Sequence, residues 1–203
     1  GLSYAQLGNC TEAQNSLAAA VSMGAKDKDV YSQLGICQFR SKDYKGSVES
    51  LTQAINAGSN TLEVFLYKGY AGYWQKDYDN ALRDLEKSVS LGAKEAEAHK
   101  YIADIKFLKN DYAGAIKEYD NAEKAGANDA VLFNNRGKSK MNANDLVGAK
   151  ADFDKAIQLN ASYSKAFLNR GTARYNLKDY AASVEDLEKA KATEGEAPKT
   201  LRM

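Results

Sequence analysis

The sequence predicts an all-α fold that is built from repeated pairs of helices. Three observations indicate it: residue patterns recur every 34 positions, each period holds two helical patterns, and the 203 residues include one Pro. Periods of about 20–50 residues are typical of solenoids, in which each repeat buries its apolar face against its neighbours. Because Pro interrupts helices, its near absence suits a mostly helical chain.

Several series of residues keep the same 34-residue register. One is an Asp series: Asp43, Asp77, Asp111, Asp145 and Asp179. Another is a Gly series that Asn160 continues: Gly24, Gly58, Gly92 and Gly126. In this register the chain divides into a partial repeat at 1–27, whole repeats at 28–61, 62–95, 96–129, 130–163 and 164–197, and the start of a further helix at 198–203. We expect a single solenoid over 1–203, cut from a longer array, because Gly1 falls in the middle of a repeat.

Each repeat is predicted to hold two helices that a short turn joins. In the repeat 62–95 the first helix is expected from about Glu63 to Gln75 and the second from about Asp79 to Leu91. The Asp series precedes each second helix, where a carboxylate accepts the free N–H groups of the first turn. The Gly series follows each second helix, where a residue in the left-handed conformation ends it. Asn160 is expected to adopt the same conformation.

The residue choices within each repeat resemble the tetratricopeptide repeat, whose signature spaces aromatic, Leu-Gly, small and large apolar residues over 34 positions. The matching residues in three repeats are Tyr31, Leu34, Gly35, Ser47, Leu51 and Ala54; Phe65, Gly69, Ala81, Leu85 and Ser88; and Phe167, Gly171, Ser183, Leu187 and Ala190. The resemblance covers Gly1 to about Ala192 and departs at the family's Pro, which Ala or Ser replaces here. It implies a right-handed α-solenoid of antiparallel helix pairs, with a concave face lined by the first helices.

Three repeats place a basic residue and an Asp 16 positions apart. The pairs are Lys68 with Asp84, Arg136 with Asp152, and Arg170 with Asp186. Two other repeats lack the basic residue and also lack the Asp: they carry Leu34 with Ser50, and Ile102 with Glu118. We therefore predict a structural ion pair between the two helices of a repeat. The alternative is a pair of solvated charges, which contributes only about 0–1 kcal/mol.

Composition excludes several classes of protein. The 28 basic and 27 acidic residues give a net charge of +1, which argues against nucleic-acid binding through bulk electrostatics. No apolar run approaches the roughly 20 residues that cross a bilayer, so we expect no membrane insertion. Two Cys cannot make a disulfide scaffold, and one His leaves little room for a metal site or a catalytic triad.

The candidates for chemistry fail on inspection. Gly137-Lys138-Ser139 resembles the end of a phosphate-binding loop, but Leu132 stands where that motif needs a Gly. His99 occupies a position that Tyr or Phe holds in other repeats, which favours a packed imidazole over a catalytic one. Cys10 and Cys37 are interpreted as buried free thiols, with a disulfide as the alternative. We predict no catalytic residue, no metal, no cofactor and no enzyme activity.

Function is expected in the groove that the resemblance implies. Positions at helical spacing on the first helices are predicted to face it, beginning with Glu63 and Glu97. Its middle holds Leu66 and five aromatic residues: Tyr67, Tyr70, Tyr73, Trp74 and Tyr101. The predicted set continues with charged and amide side chains: Lys100, Asp104, Asn134, Asn135, Lys138, Lys165 and Asn169. Tyr and Trp suit peptide recognition, although rings such as Tyr73 and Phe107 could instead pack between helices.

Some members of this family clamp the C-terminal carboxylate of a chaperone peptide with Lys, Asn and Arg side chains. Lys100, Asn135 and Lys165 match three of the clamp positions in this chain. Asp104 stands where the first Asn belongs, and Asn169 stands where the Arg belongs. Because an acidic side chain repels a carboxylate, the sequence does not favour a clamp.

The leading hypothesis is a non-enzymatic scaffold that binds an extended or helical segment of another protein in this groove. The alternatives are a structural module that associates with itself, and an accessory region of a longer enzyme or secretion machine. The sequence leaves the compartment open: a soluble chain of this kind suits the cytoplasm or, after removal of a signal, the periplasm.

Overall fold

The fold is all-α. The computed structural model describes Leu2 and residues 9–195, and this part of the chain contains eleven helices of 13 to 16 residues and no strand. The helices are α1 (Cys10–Ser22), α2 (Lys28–Arg40), α3 (Tyr44–Asn56), α4 (Leu62–Trp74), α5 (Tyr78–Ser90), α6 (Ala96–Leu108), α7 (Tyr112–Lys124), α8 (Ala130–Asn142), α9 (Leu146–Leu159), α10 (Ser164–Asn176) and α11 (Tyr180–Gly195). Gly1 and the predicted further helix at 198–203 lie outside the described residues. No described helix is both long and apolar enough to cross a bilayer.

The helices pack in consecutive pairs, each formed by the two helices of one repeat. These pairs are α2 with α3, α4 with α5, α8 with α9, and α10 with α11. First helices of successive repeats also contact each other, as α2 contacts α4 and α8 contacts α10. This arrangement confirms the predicted fold class, an α-solenoid of stacked helix pairs.

The chain divides into two compact units, Gly1–Ile105 and Lys106–Met203, with the division inside α6. In the first unit a large apolar residue of each second helix fills the core, as Leu51 of α3 and Leu85 of α5 do. Gly69 of α4 provides the room, because a Cβ at this position would lie 2.6 Å from Leu85 Cγ. In the second unit Phe153 of α9 fills the corresponding space and is fully buried.

Four of the five predicted Asp caps and four of the five predicted left-handed helix ends are confirmed. Asp43, Asp77, Asp111 and Asp145 cap the second helices that follow them: Asp111 accepts from Gly114 N at 2.9 Å, and Asp145 accepts from Gly148 N at 2.9 Å. The four residues of the Gly series have φ between 93° and 104°. The prediction for Asn160 is wrong, since its φ is −146° and its Oδ1 accepts from Ser162 N instead.

A second set of left-handed residues was missed by the sequence analysis. Each residue directly before a member of the Asp series has φ between 62° and 65°: Lys42, Lys76, Asn110, Asn144 and Lys178. The turn between the two helices of a repeat therefore needs a positive φ, even though Lys is not favoured there. Residue type alone does not reveal this, because three of the five positions carry Lys.

Candidate functional site

Five aromatic side chains form a surface on the first unit, called here the aromatic surface: Tyr44, Tyr67, Tyr73, Trp74 and Tyr101. Trp74, the last residue of α4, is 51% exposed. Its indole stacks on Tyr44 with 5.8 Å between ring centroids and 12° between planes. Its Nε1 donates a hydrogen bond to the Tyr101 hydroxyl at 3.2 Å. The exposed indole is thus held in one orientation by two neighbours.

The other rings of the aromatic surface pack either against Trp74 or against a ring close to it. Tyr73 packs edge-on against Trp74 at 5.8 Å and against Tyr101 at 4.6 Å. Its hydroxyl hydrogen-bonds to Asp104, and burial together with this carboxylate holds the pKa of Tyr73 far above its usual range. Tyr67 packs against Phe39 at 5.4 Å. All of these contacts lie within the first unit.

Two residues predicted to line the groove are core residues instead. Leu66 is 6% exposed and Tyr70 is 8% exposed, and both belong to the cluster that contains Leu85 and Ile102. Helical spacing placed them correctly on one side of α4, but the neighbouring helices cover them. They therefore form the floor under the aromatic surface and are not accessible to a partner as free side chains.

Lys100 and Asp104 lie on α6 beside the rings. Lys100 Nζ is 3.2 Å from a carboxylate oxygen of Glu97, and its side chain is mostly buried. Asp104 is half-buried and interacts with Tyr73. Lys100 is thus engaged within the protein, which does not support the carboxylate clamp.

The amide residues of the second unit bond to one another. Asn169 Nδ2 donates to Asn134 Oδ1 at 2.8 Å, and Asn134 Nδ2 donates to Asn135 Oδ1 at 3.2 Å. Asn134 is buried, so its predicted place on an open groove surface is corrected. Lys138 Nζ lies 4.9 Å from the centre of the Phe107 ring, and Lys165 is exposed. The amides serve mainly to tie α8 to α10.

The predicted ion pairs are present, and they are not solvated. Lys68 Nζ lies 2.5 Å from Asp84, Arg136 Nη2 lies 2.8 Å from Asp152, and Arg170 Nη2 lies 2.6 Å from Asp186. All three Asp residues are buried. The pairs therefore hold the two helices of a repeat together from inside, as the structural interpretation required.

A second row of basic residues was missed by the sequence analysis. One helical turn after the predicted row, Arg174 contacts Asp186 at 2.8 Å and Lys140 contacts Asp152 at 2.8 Å. Lys106 occupies the same position and lies 3.7 Å from Glu118. The repeat without a base at Ile102 thus keeps its ion pair by moving the cation four residues along the helix. A signal existed, because Lys106, Lys140 and Arg174 share the 34-residue register.

Tyr44 is the functional candidate that sequence reasoning missed. It directly follows Asp43 of the Asp series and is not among the residues predicted to line the groove. Its ring stacks on Trp74, which belongs to the next repeat. Tyr78 and Tyr112 share its register, but nothing in the sequence indicates which of them a neighbouring repeat would cover.

The two thiols lie together in the first unit. Cys10 and Cys37 are free, and the Cys37 thiol donates to Cys10 Sγ at 2.7 Å. The pKa of Cys37 is raised to about 12, mainly by burial and to a smaller extent by the hydrogen bond and the charge of Cys10. Among the described residues no three His, Cys, Asp or Glu side chains are grouped closely enough to hold a metal ion.

The stability of the folded protein is expected to fall as the pH rises above about 10, the pKa of an unfolded Tyr. Burial raises the pKa of Tyr73, so its hydroxyl keeps its proton longer in the folded chain than in the unfolded one. Its contribution is complete below pH 10 and is lost above it. A Tyr73→Phe variant lacks this loss, so its unfolding free energy should approach that of the wild type as the pH rises from about 10 to about 12. Urea unfolding at several pH values measures it.

The expected slope for this one side chain stays below about 1.4 kcal/mol per pH unit, the value for a difference of one whole bound proton, because an unfolded Tyr is only partly ionised near pH 10. A constant difference between the wild type and Tyr73→Phe over this pH range would contradict the assignment.

Solved structures with similar folds come from several proteins. MamA from Desulfovibrio magneticus RS-1 is 18% identical, with a TM-score of 0.76 over 87% of this chain and 99% of that one. YrrB, a tetratricopeptide-repeat protein with an unusual peptide-binding site, is 15% identical, with a TM-score of 0.78 over 89% and 93%. The C-terminal part of a repeat protein from Cytophaga hutchinsonii is 15% identical, with a TM-score of 0.74 over 96% and 80%. At these identities the matches show the fold alone.

Sequence comparison identifies the family. No curated protein sequence matches the chain. A family model for the tetratricopeptide repeat, however, matches three consecutive stretches, residues 1–61, 68–130 and 134–198. These stretches include most of the residues of the 34-residue register and the helix pairs described above. The chain therefore belongs to the tetratricopeptide-repeat family.

Proposed function

We propose that the protein is a non-enzymatic scaffold that binds a segment of another protein at the aromatic surface. Tetratricopeptide repeats generally serve protein–protein interaction and are typically non-catalytic. The observation that carries the proposal is Trp74, an indole that is half exposed and fixed in place by Tyr44 and Tyr101. Large exposed aromatic side chains of this kind dominate the energetics of protein interfaces.

The rigidity of the surface supports the same function. Binding costs free energy when mobile side chains must be ordered, and a ring that is already stacked and hydrogen-bonded avoids part of this cost. Trp74 and Tyr44 also present both apolar and polar atoms, which suits a partner that carries a peptide backbone as well as side chains. One of the proteins with a similar structure, YrrB, has a peptide-binding site.

Replacing Trp74 by Ala is expected to weaken the binding of peptides by about 10- to 30-fold, the effect of losing a hot-spot residue. The peptides are selected from a random display library on the immobilised wild-type protein. Their affinities are then measured by the anisotropy of a fluorescein label. In the wild type the emission of Trp74, the only Trp, gives a second readout at the site itself.

Tyr175→Ala is the matched control, because Tyr175 is an exposed aromatic residue of the second unit. Its loss is expected to leave the affinities unchanged. Tyr70 is unsuitable as a test position, since it is buried and its truncation creates a cavity. Selected peptides that bind Trp74→Ala as tightly as wild type, or a selection that enriches no peptide, would refute the proposed site.

A further inference from the structure

We infer that the segment bound at the aromatic surface is basic and carries Lys or Arg side chains. This inference rests on the proposed function and adds the charge of the partner to it. Two independent features of the first unit lead to it: the carboxylates around the rings, and ring faces over which no cation of the described residues lies.

A row of exposed carboxylates runs along the first helices of the first unit. The second residue of α2, α4 and α6 is acidic in each case: Asp29, Glu63 and Glu97. The equivalent residues of α8 and α10, in the second unit, are Val131 and Lys165. Acids in a first turn also stabilise their helix. The second unit shows that the fold does not need them there, so the row is a specific property of the first unit.

Three carboxylates act directly on the rings, and Glu97 is the one among them that belongs to the row. Burial raises the pKa of Tyr70, Tyr73 and Tyr101. The strongest charges that raise it further come from Glu95, Glu97 and Asp104, all of which are acidic. Two basic side chains beside the rings are engaged: Lys100 is bonded to Glu97, and Arg40 donates hydrogen bonds to Tyr67 and Cys10. Lys45 and Lys76, which lie next to Tyr44 and two residues after Trp74 in the sequence, are exposed. The charges that act on Tyr70, Tyr73 and Tyr101 are therefore those of carboxylates, which attract a cationic side chain of a partner.

The rings themselves favour a cation. A Lys or Arg group above a Trp or Tyr face is attracted by the ring quadrupole, most strongly for Trp. Within the described residues the protein already uses this contact at four rings, with Lys87 at Phe65, Lys138 at Phe107, Arg136 at Phe133 and Arg170 at Phe167. In that same part of the chain none of these contacts uses a ring of the aromatic surface. Trp74, covered on one face by Tyr44, is half exposed and suited to take such a group from a partner.

The peptides selected on the wild-type protein test the inference by their composition and by their electrostatics. Lys and Arg are expected to be enriched, and Asp and Glu depleted, relative to the unselected library. The double variant Glu63→Gln and Glu97→Gln is expected to weaken their binding by about three- to tenfold. Binding is also expected to weaken in about 1 M NaCl, where the Debye length falls to about 3 Å.

The control is Glu185→Gln with Glu188→Gln, which removes the same charge from exposed positions on α11 of the second unit. It is expected to leave binding unchanged, and circular dichroism checks that both double variants are folded. Peptides that depend on Trp74 but are neutral or acidic would overturn the inference and leave the proposed function standing. Peptides that bind without Trp74 would overturn both.

Discussion

Replacing Asp186 by Ala is expected to lower the free energy of unfolding by about 3–5 kcal/mol, the cost of leaving a buried charge without its partner. Asp186 is fully buried on α11. Its Oδ1 lies 2.6 Å from Arg170 Nη2, and its Oδ2 lies 2.8 Å from Arg174 Nη1. Truncation leaves two largely buried guanidinium groups facing an apolar methyl group. Urea unfolding followed by circular dichroism measures the loss.

Asp154→Ala is the matched control for this experiment. Asp154 also bonds to Arg170, at 2.7 Å, but its side chain is 40% exposed. Water replaces an exposed partner at little cost, so the expected loss is below about 1 kcal/mol. Equal losses for the two variants would show that burial of Asp186 does not decide the strength of this ion pair.

Replacing Leu85 by Ala is expected to lower the free energy of unfolding by about 2–5 kcal/mol, through the lost burial and the cavity that remains. Leu85 is fully buried on α5 and packs in one cluster with Leu66, Tyr70 and Ile102. Gly69 lies directly against Leu85 and has no side chain of its own that could fill the space. Chemical unfolding of the purified variant gives the value.

Leu187 offers the control within the same chain. It occupies the same position of its repeat, three periods later, yet it is 42% exposed. Leu187→Ala is therefore expected to cost less than about 1 kcal/mol, as a partly exposed site does. A loss as large as that of Leu85→Ala would mean that repeat position, and not burial, determines the cost.

Much of the fold could be predicted from local sequence. The 34-residue register placed α4 and α5 within one residue of their observed ends, because the Asp and Gly series mark where a helix can begin and stop. The ion pairs of Lys68, Arg136 and Arg170 could be predicted as well. Repeats within one chain act as a comparison set, and residues that change together across them are in contact.

The candidate site could be predicted only in part. Helical spacing identified the side of α4 that carries Leu66, Tyr70 and Trp74, yet the first two are buried and the third is half exposed. How deeply a side chain on a helix face is buried depends on how closely the neighbouring helices approach it. The spacing of residues along the sequence gives no information on that distance. The stack of Trp74 on Tyr44 joins residues of two repeats. It could not be predicted either, because it depends on how closely those two repeats pack.

The sequence by itself determined the repeat length, the order of helices, their caps and the residues that could reach an ion pair, since each depends on neighbours a few positions away or on a strict period. The tertiary structure decided which of these residues are buried and which surface remains open. Lys106 is an example of what the tertiary structure decided. It contacts Glu118 because the helical turn of α6 that carries Lys106 faces α7. Burial and orientation arise from the packing of helices against one another, and packing is a property of neighbours that are distant in the chain.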